Sequence, residues 1–298
     1  METVIKVNNI YKSYKDKNAL KDISFSIHSG ECVALVGPNG AGKTTLFKIL
    51  LGDLMQTSGK VSVLQSSPMD VAKKREISVL EQANIVPDLL TANELIKFYQ
   101  TIYEEHLSVK EIDAYLNFSP QQKKQFMSKL SGGQKRFLSF VLTLVNKPKL
   151  LFMDEPTTAM DTITRQRFWE IIAELKKQGM TIVYSSHYIE EVENTADRIL
   201  VLHNGKILRD TTPHAMRAEK IEKHFTIPKH YAEVVENMPE VSDFEVKNDI
   251  ISFVTKDGEK VWKRLQEKGL SFEELEVKNR SLFSSIFQSE PSEIEEDE

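Results

Sequence analysis

The chain has 298 residues, 40% hydrophobic and 28% charged, which is ordinary soluble globular usage; wholesale disorder is excluded, and there is room for one large domain or a medium and a small one. Its formal net charge is -5, but residues 290–298 carry six acidic side chains and no basic one, leaving the remainder near +1. That balance lacks the electrostatic footprint of a nucleic-acid binder, so no nucleic-acid partner is expected.

The N-terminus lacks the basic-then-apolar layout of a secretory signal. Alternation in Ile23-Ser24-Phe25-Ser26-Ile27 predicts a half-exposed strand, while Cys32–Val36, Leu150–Met153 and Thr181–Tyr184 read as buried ones. The lone Cys32 falls in the first of these, where packing rather than reactive thiol chemistry is expected. Between the strands lie helical patterns over Thr44–Leu51, Phe168–Lys177 and Ile189–Asn194, so the expected fold class is α/β, with ligands at the carboxyl ends of the strands.

Residues 88–145 interrupt the alternation with helical signals over Ala92–Tyr103, Val109–Leu116 and Gln134–Val145, and are expected to form an inserted helical subdomain. Their longest apolar stretch, Phe137–Val145, is far shorter than the roughly 18–20 residues a membrane-spanning helix needs. Asn204-Gly205 between Ile199–Leu202 and Lys206–Leu208 predicts a hairpin, because both residues tolerate positive φ. The first domain is expected to close near residue 224. A small α+β domain over 225–289 follows, with strands at Asp243–Val246, Ile250–Val254 and Phe272–Val277 and helices at Glu259–Glu267 and Ser281–Phe287. Residues 290–298 are too charged to fold. No internal repeat is present.

Gly37-Pro38-Asn39-Gly40-Ala41-Gly42-Lys43-Thr44 follows a buried strand and opens a helical run, which is the context of a P-loop. There the backbone N–H groups close around phosphates, Lys43 neutralises them, the Thr44 hydroxyl ligates Mg²⁺, and Thr45 adds a hydrogen bond. The competing reading is an accidental glycine-rich turn. Leu151-Phe152-Met153-Asp154-Glu155 is a second apolar strand, ending in two carboxylates that need a cation or water to stabilise them. Asp154 is expected to hold Mg²⁺ through water and Glu155 to act as general base.

These two motifs describe many nucleotidases. Leu130-Ser131-Gly132-Gly133-Gln134, placed 23 residues before Asp154 and opening a helix, narrows the field. It resembles the signature motif of ABC ATPases, and the chain is similar to that family over residues 1 to about 224. The resemblance implies a P-loop NTPase sheet with an antiparallel β subdomain and a helical insertion. It implies ATP and Mg²⁺ as cofactors, and a second ABC ATPase subunit whose site is completed by Ser131, Gly132, Gly133 and Gln134. Gln82 resembles the glutamine-loop residue that touches Mg²⁺ and the attacking water. His187, 32 residues after Glu155, resembles the switch histidine at the γ-phosphate. Tyr14, with Tyr11 as its rival, resembles the aromatic that stacks on adenine, and Asp161 the D-loop aspartate that joins the two sites. Met160 stands where the family usually has leucine.

A single ATPase half with a small C-terminal domain is similar to the ATPases of ABC-2-type exporters of drugs, antibiotics or peptides, among them exporters of amphipathic peptides in Gram-positive bacteria. The function so implied is ATP-driven dimer closure that powers a separate transmembrane permease at the cytoplasmic face of the membrane. The alternative is a soluble ABC ATPase acting on ribosomes or nucleic acid. Those on ribosomes normally carry two ATPase halves, whereas one P-loop is present; those on DNA carry coiled coils or zinc cysteines, which are absent. The transported substrate, export against import, and homodimer against heterodimer are not readable from these residues.

Overall fold

A computed structural model describes residues 2–15, 17–83, 86–218 and 222–279. The expected helix over Ser281–Phe287 and the acidic segment Glu290–Glu298 lie outside the described residues. The chain separates into two compact units, Met1–Pro213 and His214–Glu298.

In chain order the first unit runs β1 (Thr3–Tyr14), β2 (Lys17–His28), β3 (Cys32–Val36), α1 (Lys43–Leu50), β4 (Ser58–Val63), α2 (Val71–Lys74) and β5 (Ile77–Leu80). Four helices follow, α3 (Ala92–Ile102), α4 (Val109–Leu116), α5 (Pro120–Lys124) and α6 (Gly132–Thr143). Then come β6 (Leu150–Met153), α7 (Thr162–Lys177), β7 (Thr181–Ser186), α8 (Ile189–Thr195), β8 (Arg198–His203) and β9 (Lys206–Thr211). The segment α9 (Pro213–Ala218) leads into the second unit.

Six strands form the principal sheet in the order β5-β6-β7-β3-β8-β9, parallel throughout except for the β8–β9 hairpin. Every residue of β3, β6 and β7 is buried. Helices cover both faces of such a sheet, which is why these strands read as continuous apolar runs rather than alternating ones. Phe47 of α1 meets Phe152 of β6 edge-on at 5.8 Å, and Phe140 of α6 lies 4.5 Å from Phe168 of α7. A three-stranded antiparallel sheet, β2-β1-β4, packs its alternating Ile5, Val7, Ile23 and Ile27 into the same core.

The helical insertion owes its boundaries to hydrogen bonding that can be read residue by residue. Capping boxes open α3 (Thr91 with Glu94), α4 (Ser108 with Glu111), α5 (Ser119 with Gln122) and α6 (Ser131 with Gln134). Each satisfies two otherwise unpaired N–H groups and so sets where its helix starts.

The second unit contains β10 (Lys223–Pro228), α10 (Ala232–Glu236), β11 (Val241–Lys247), β12 (Ile250–Thr255), α11 (Gly258–Glu267) and β13 (Glu276–Asn279). Its antiparallel sheet has the order β11-β12-β10-β13. Phe225, Ile227, Ile251 and Phe253 on one face pack with Val235, Val261 and Leu265. The division falls at Pro213, before the expected position near 224, and β10, whose Phe225 and Ile227 alternate into this core, is a central strand of the second unit. Phe272–Glu274, expected as the start of a strand, is a 3₁₀ turn; Ser271 and Glu274 form a capping box there, and only Glu276–Asn279 pairs with β10.

Candidate active site

Four parallel strands end directly in motif residues: β3 in Gly37, β5 in Glu81-Gln82, β6 in Asp154-Glu155 and β7 in His187. Their common direction brings these segments to one edge of the sheet. Gly37–Thr45 bridges β3 and the start of α1. Gly40 and Gly42 have φ of 80° and 108°, where side chains other than glycine are strained. A Cβ on Gly37 would lie 2.1 Å from the Leu202 carbonyl oxygen, so this glycine is required by close packing of the loop on β8.

The N-cap of α1, Gly42, provides no side-chain cap. Open N–H groups and the partial positive charge at a helix start suit phosphate oxygens. Asn39, Gly40 and Thr44 are exposed, Pro38 and Thr45 half-buried, and Ala41 buried. Lys43 is 7% exposed, and its Nζ donates to the carbonyls of Gly37 at 2.6 Å and Pro38 at 3.0 Å. Burial pushes its pKa down, while the nearby charges of Glu155 and Asp154 push it back up. The loop thus holds an ammonium group on carbonyl oxygens, positioned beside two carboxylates.

Asp154 and Glu155 follow β6 without a spacer. Glu155 takes a left-handed backbone, φ 46°, the kind of strained turn that concentrates at functional sites. Its Oε2 lies 2.8 Å from His187 Nδ1. Asp154 and Thr44 supply oxygen donors at this edge. Among the described residues no group of three or more His, Cys, Asp or Glu side chains assembles to hold a metal. A donor set of one carboxylate and one hydroxyl fits Mg²⁺, which keeps several waters and relies on substrate phosphates for the rest of its shell.

Two residues that the sequence reading did not single out organise these groups. Ser185, wholly buried in β7, accepts a hydrogen bond from Glu155 N–H at 2.9 Å and donates to Asp154 Oδ1. Arg136 of α6 is 1% exposed. Its Nε donates to Pro156 O at 2.9 Å and its Nη2 to Asp154 O at 2.9 Å and Glu155 O at 3.1 Å. Its Nη1 donates to the carbonyls of Glu81 and of Gln82, the latter at 3.3 Å. Desolvation lowers the guanidinium pKa to about 10, against the opposing pull of Asp154 and Glu155. A serine continuing a buried strand and an arginine preceding Phe137-Leu138 were the available signals: buried polar side chains are partnered, and these partners are backbone atoms of the site.

Ser131 is the exposed N-cap of α6, and its Oγ accepts the Gln134 N–H at 3.2 Å. Gly132 is exposed, whereas Gly133 packs against the chain's own Ala159 and Met160, its Cβ position lying 3.0 Å from the Ala159 carbonyl oxygen. Within one chain, therefore, the Ser131–Gln134 segment borders the loop that leads to Asp161. Asp161 caps α7 by accepting from Thr164 N–H at 2.8 Å. The Gln82 side chain is exposed. Tyr14 and Tyr11 are 46% and 42% exposed on β1, and Lys12 Nζ sits 5.0 Å above the Tyr14 ring.

A separate cleft of about 650 Å³ opens at the amino ends of the same strands, lined by residues that include Lys73, Glu76, Lys149 and Thr181. It lies away from every motif, and two of its lysines are engaged: Lys149 and Lys73 reach Glu76 at 2.5 and 2.9 Å and hold that carboxylate below its ordinary pKa. Cys32 is fully buried, and desolvation raises its thiol to about 12, which makes it a packing residue.

A family model described as ABC transporter matches residues 20–158. A protein called Nod factor export ATP-binding protein I from a Rhizobium species is 34% identical over 280 residues, covering 90% of both chains. Its counterpart from Sinorhizobium fredii is 33% identical and covers 90% of this chain and 80% of its own. Among solved structures, a dimeric ATP-binding cassette in a post-hydrolysis state with ADP and Pi is 26% identical, with a TM-score of 0.63 over 70% of this chain and 98% of its own. A Clostridium perfringens protein that is part of the ABC transporter complex cbiONQ is 25% identical, with a TM-score of 0.64 over 80% of this chain and 97% of its own. The chain therefore belongs to the ABC transporter family as an ATP-binding, ATP-hydrolysing subunit.

Proposed function

We propose that the chain powers an exporter. Two ATPase subunits, identical or related, close around two ATP molecules at the cytoplasmic face of the membrane and drive a separate permease polypeptide. The exported class is peptides, drugs or antibiotics. The observation that carries the export reading is the alignment with one export ATP-binding protein over 90% of both chains, so that likeness extends beyond the ATPase core into the second unit. No helix among the described residues is long and apolar enough to cross a membrane.

In this reading residues Gly37 to Thr45, with Lys43 as the cation, bind the β- and γ-phosphates, and Tyr14 stacks on adenine. Thr44, Gln82 and Asp154 hold Mg²⁺, which neutralises phosphate charge when bound. Glu155 takes the proton of the attacking water, which Gln82 touches, and His187 contacts the γ-phosphate. The 2.8 Å approach of His187 to Glu155 supports their acting on one reacting centre. Ser131, Gly132, Gly133 and Gln134 complete the partner's nucleotide site, and Asp161 links the two.

The test is a strain lacking this gene, challenged with amphipathic peptides and with drugs. The expected result is increased sensitivity to at least one class, restored by the wild-type gene and not by Glu155→Gln. Unaltered sensitivity, with the protein recovered on ribosomes instead of with a membrane protein, overturns the export reading.

A further inference from the structure

One buried hydroxyl touches both residues of the carboxylate pair. In the β6–β7 register Met153 stands opposite Tyr184, so the next residues, Asp154 and Ser185, meet where the two strands end. Ser185 is 0% exposed. Its Oγ donates to Asp154 Oδ1 and accepts the Glu155 N–H at 2.9 Å. A hydroxyl has one proton to donate and lone pairs to accept with, so both bonds form at once.

The consequences for the two carboxylates differ. Donation to Oδ1 fixes the rotation of the Asp154 carboxylate. The bond from Glu155 N–H holds the backbone where it turns left-handed, at φ 46°. That turn sends adjacent side chains in different directions, and Glu155 reaches His187. Arg136 grips the carbonyls of both residues from the other side. The peptide between Asp154 and Glu155 is therefore held by its N–H through Ser185 and by its carbonyl through Arg136.

We propose that Ser185 is a positioning residue for ATP hydrolysis, whose hydroxyl simultaneously orients Asp154 toward Mg²⁺ and sets the backbone turn that presents Glu155. The proposal rests on the assignment of Asp154 and Glu155 made above. Without the hydroxyl, Asp154 loses a donor and the Glu155 N–H a buried acceptor, so both carboxylates gain rotational freedom. Placement matters steeply at such a site, because small displacements of reacting groups cost large factors in rate.

The measurement is a titration of Mn²⁺, as a probe of the Mg²⁺ position, into the ADP-bound full-length protein, followed by electron paramagnetic resonance. Ser185→Ala is expected to weaken Mn²⁺ about tenfold and to lower kcat at saturating Mg²⁺ by about tenfold or more. ATP affinity in EDTA is expected to stay within about twofold, since the phosphate loop is untouched. Ser185→Thr keeps the hydroxyl and is expected to restore Mn²⁺ affinity. Ser185→Cys, close in volume but a weak donor, falls between and serves if the threonine methyl is not accommodated. Asp154→Ala is the control. If it weakens Mn²⁺ while folded Ser185→Ala binds like wild type, Ser185 only fills space and the proposal fails. If Asp154→Ala leaves Mn²⁺ affinity unchanged, the assignment of Asp154 fails and the proposal with it.

Discussion

His187 Nδ1 and Glu155 Oε2 are 2.8 Å apart, joining the ends of β7 and β6 at one edge of the principal sheet. Glu155→Gln is expected to keep ATP binding and to lower turnover by about 100-fold or more, because the base is lost while the phosphate loop remains. An ATP-bound dimer then accumulates and is visible by size-exclusion chromatography with ATP and Mg²⁺. Near-wild-type hydrolysis removes Glu155 from the role of base.

Lys43→Ala removes a buried ammonium held on the Gly37 and Pro38 carbonyls. It is expected to abolish high-affinity ATP binding, which calorimetric titration measures directly. Retained micromolar affinity argues against the loop as the phosphate cradle.

Arg136 joins α6 to the segment after β5 and to the Asp154-Glu155 turn through backbone carbonyls alone among the bonds described above. Arg136→Met leaves several of those carbonyls without donors and is expected to cost about 3 kcal/mol or more. That corresponds to roughly 6–12 °C in melting temperature. Lysine at 136 lacks the planar fork and recovers only part of the loss. A change of less than about 2 °C for the methionine variant contradicts the bracing role.

Acidification acts through the helix caps. The Thr91 N–H and hydroxyl hold Glu94 below its ordinary value of 4.5, and the Ser108 hydroxyl and N–H do the same for Glu111. Thr164 holds Asp161 below 3.8. The unfolded chain therefore takes up protons first as pH falls. The stability these caps contribute is fully present above the unfolded values and is lost as pH drops through the folded ones. Melting temperature is expected to fall below about pH 4.5. Glu94→Gln combined with Glu111→Gln is expected to make that fall shallower while changing little near neutrality, since Gln122 and Gln134 already close two boxes of the same kind. An unchanged acid slope rules out these two caps as its source.

Sharing of sites between chains is tested by mixing Lys43→Ala with Ser131→Arg, each nearly inactive alone. Half of randomly formed dimers are mixed, and each then has one site with an intact loop and an intact signature. Activity is expected to recover to at most about a quarter of wild type. Coupling between sites lowers that figure, and an obligate different partner requires the pair to be made with it. Absence of recovery, with mixed dimers formed and sites shown to act independently, refutes the shared site; full activity of Ser131→Arg alone does so more directly.

Local order carried much of this protein's identity. Gly37 to Thr44 after a buried strand, Asp154-Glu155 at the end of another, and Ser131 to Gln134 opening a helix are contiguous segments whose chemistry depends on neighbours a few residues away. Buried strands announced themselves because a sheet covered on both faces tolerates only apolar runs. The division between units was less legible: β10 becomes a central strand only through pairing with β12 and β13, partners later in the chain. Phe272–Glu274 went to a turn because one serine cap outcompeted strand propensity. The polar residues Ser185 and Arg136 could be placed among apolar neighbours from the sequence, but their partners could not. Ser185 meets its Asp154 and Glu155 partners 31 and 30 residues away, and Arg136 spans 54 residues to Gln82. Hydrogen bonds between groups so distant along the chain exist only once strands β5, β6 and β7 lie side by side, and that juxtaposition was decided by the tertiary structure alone.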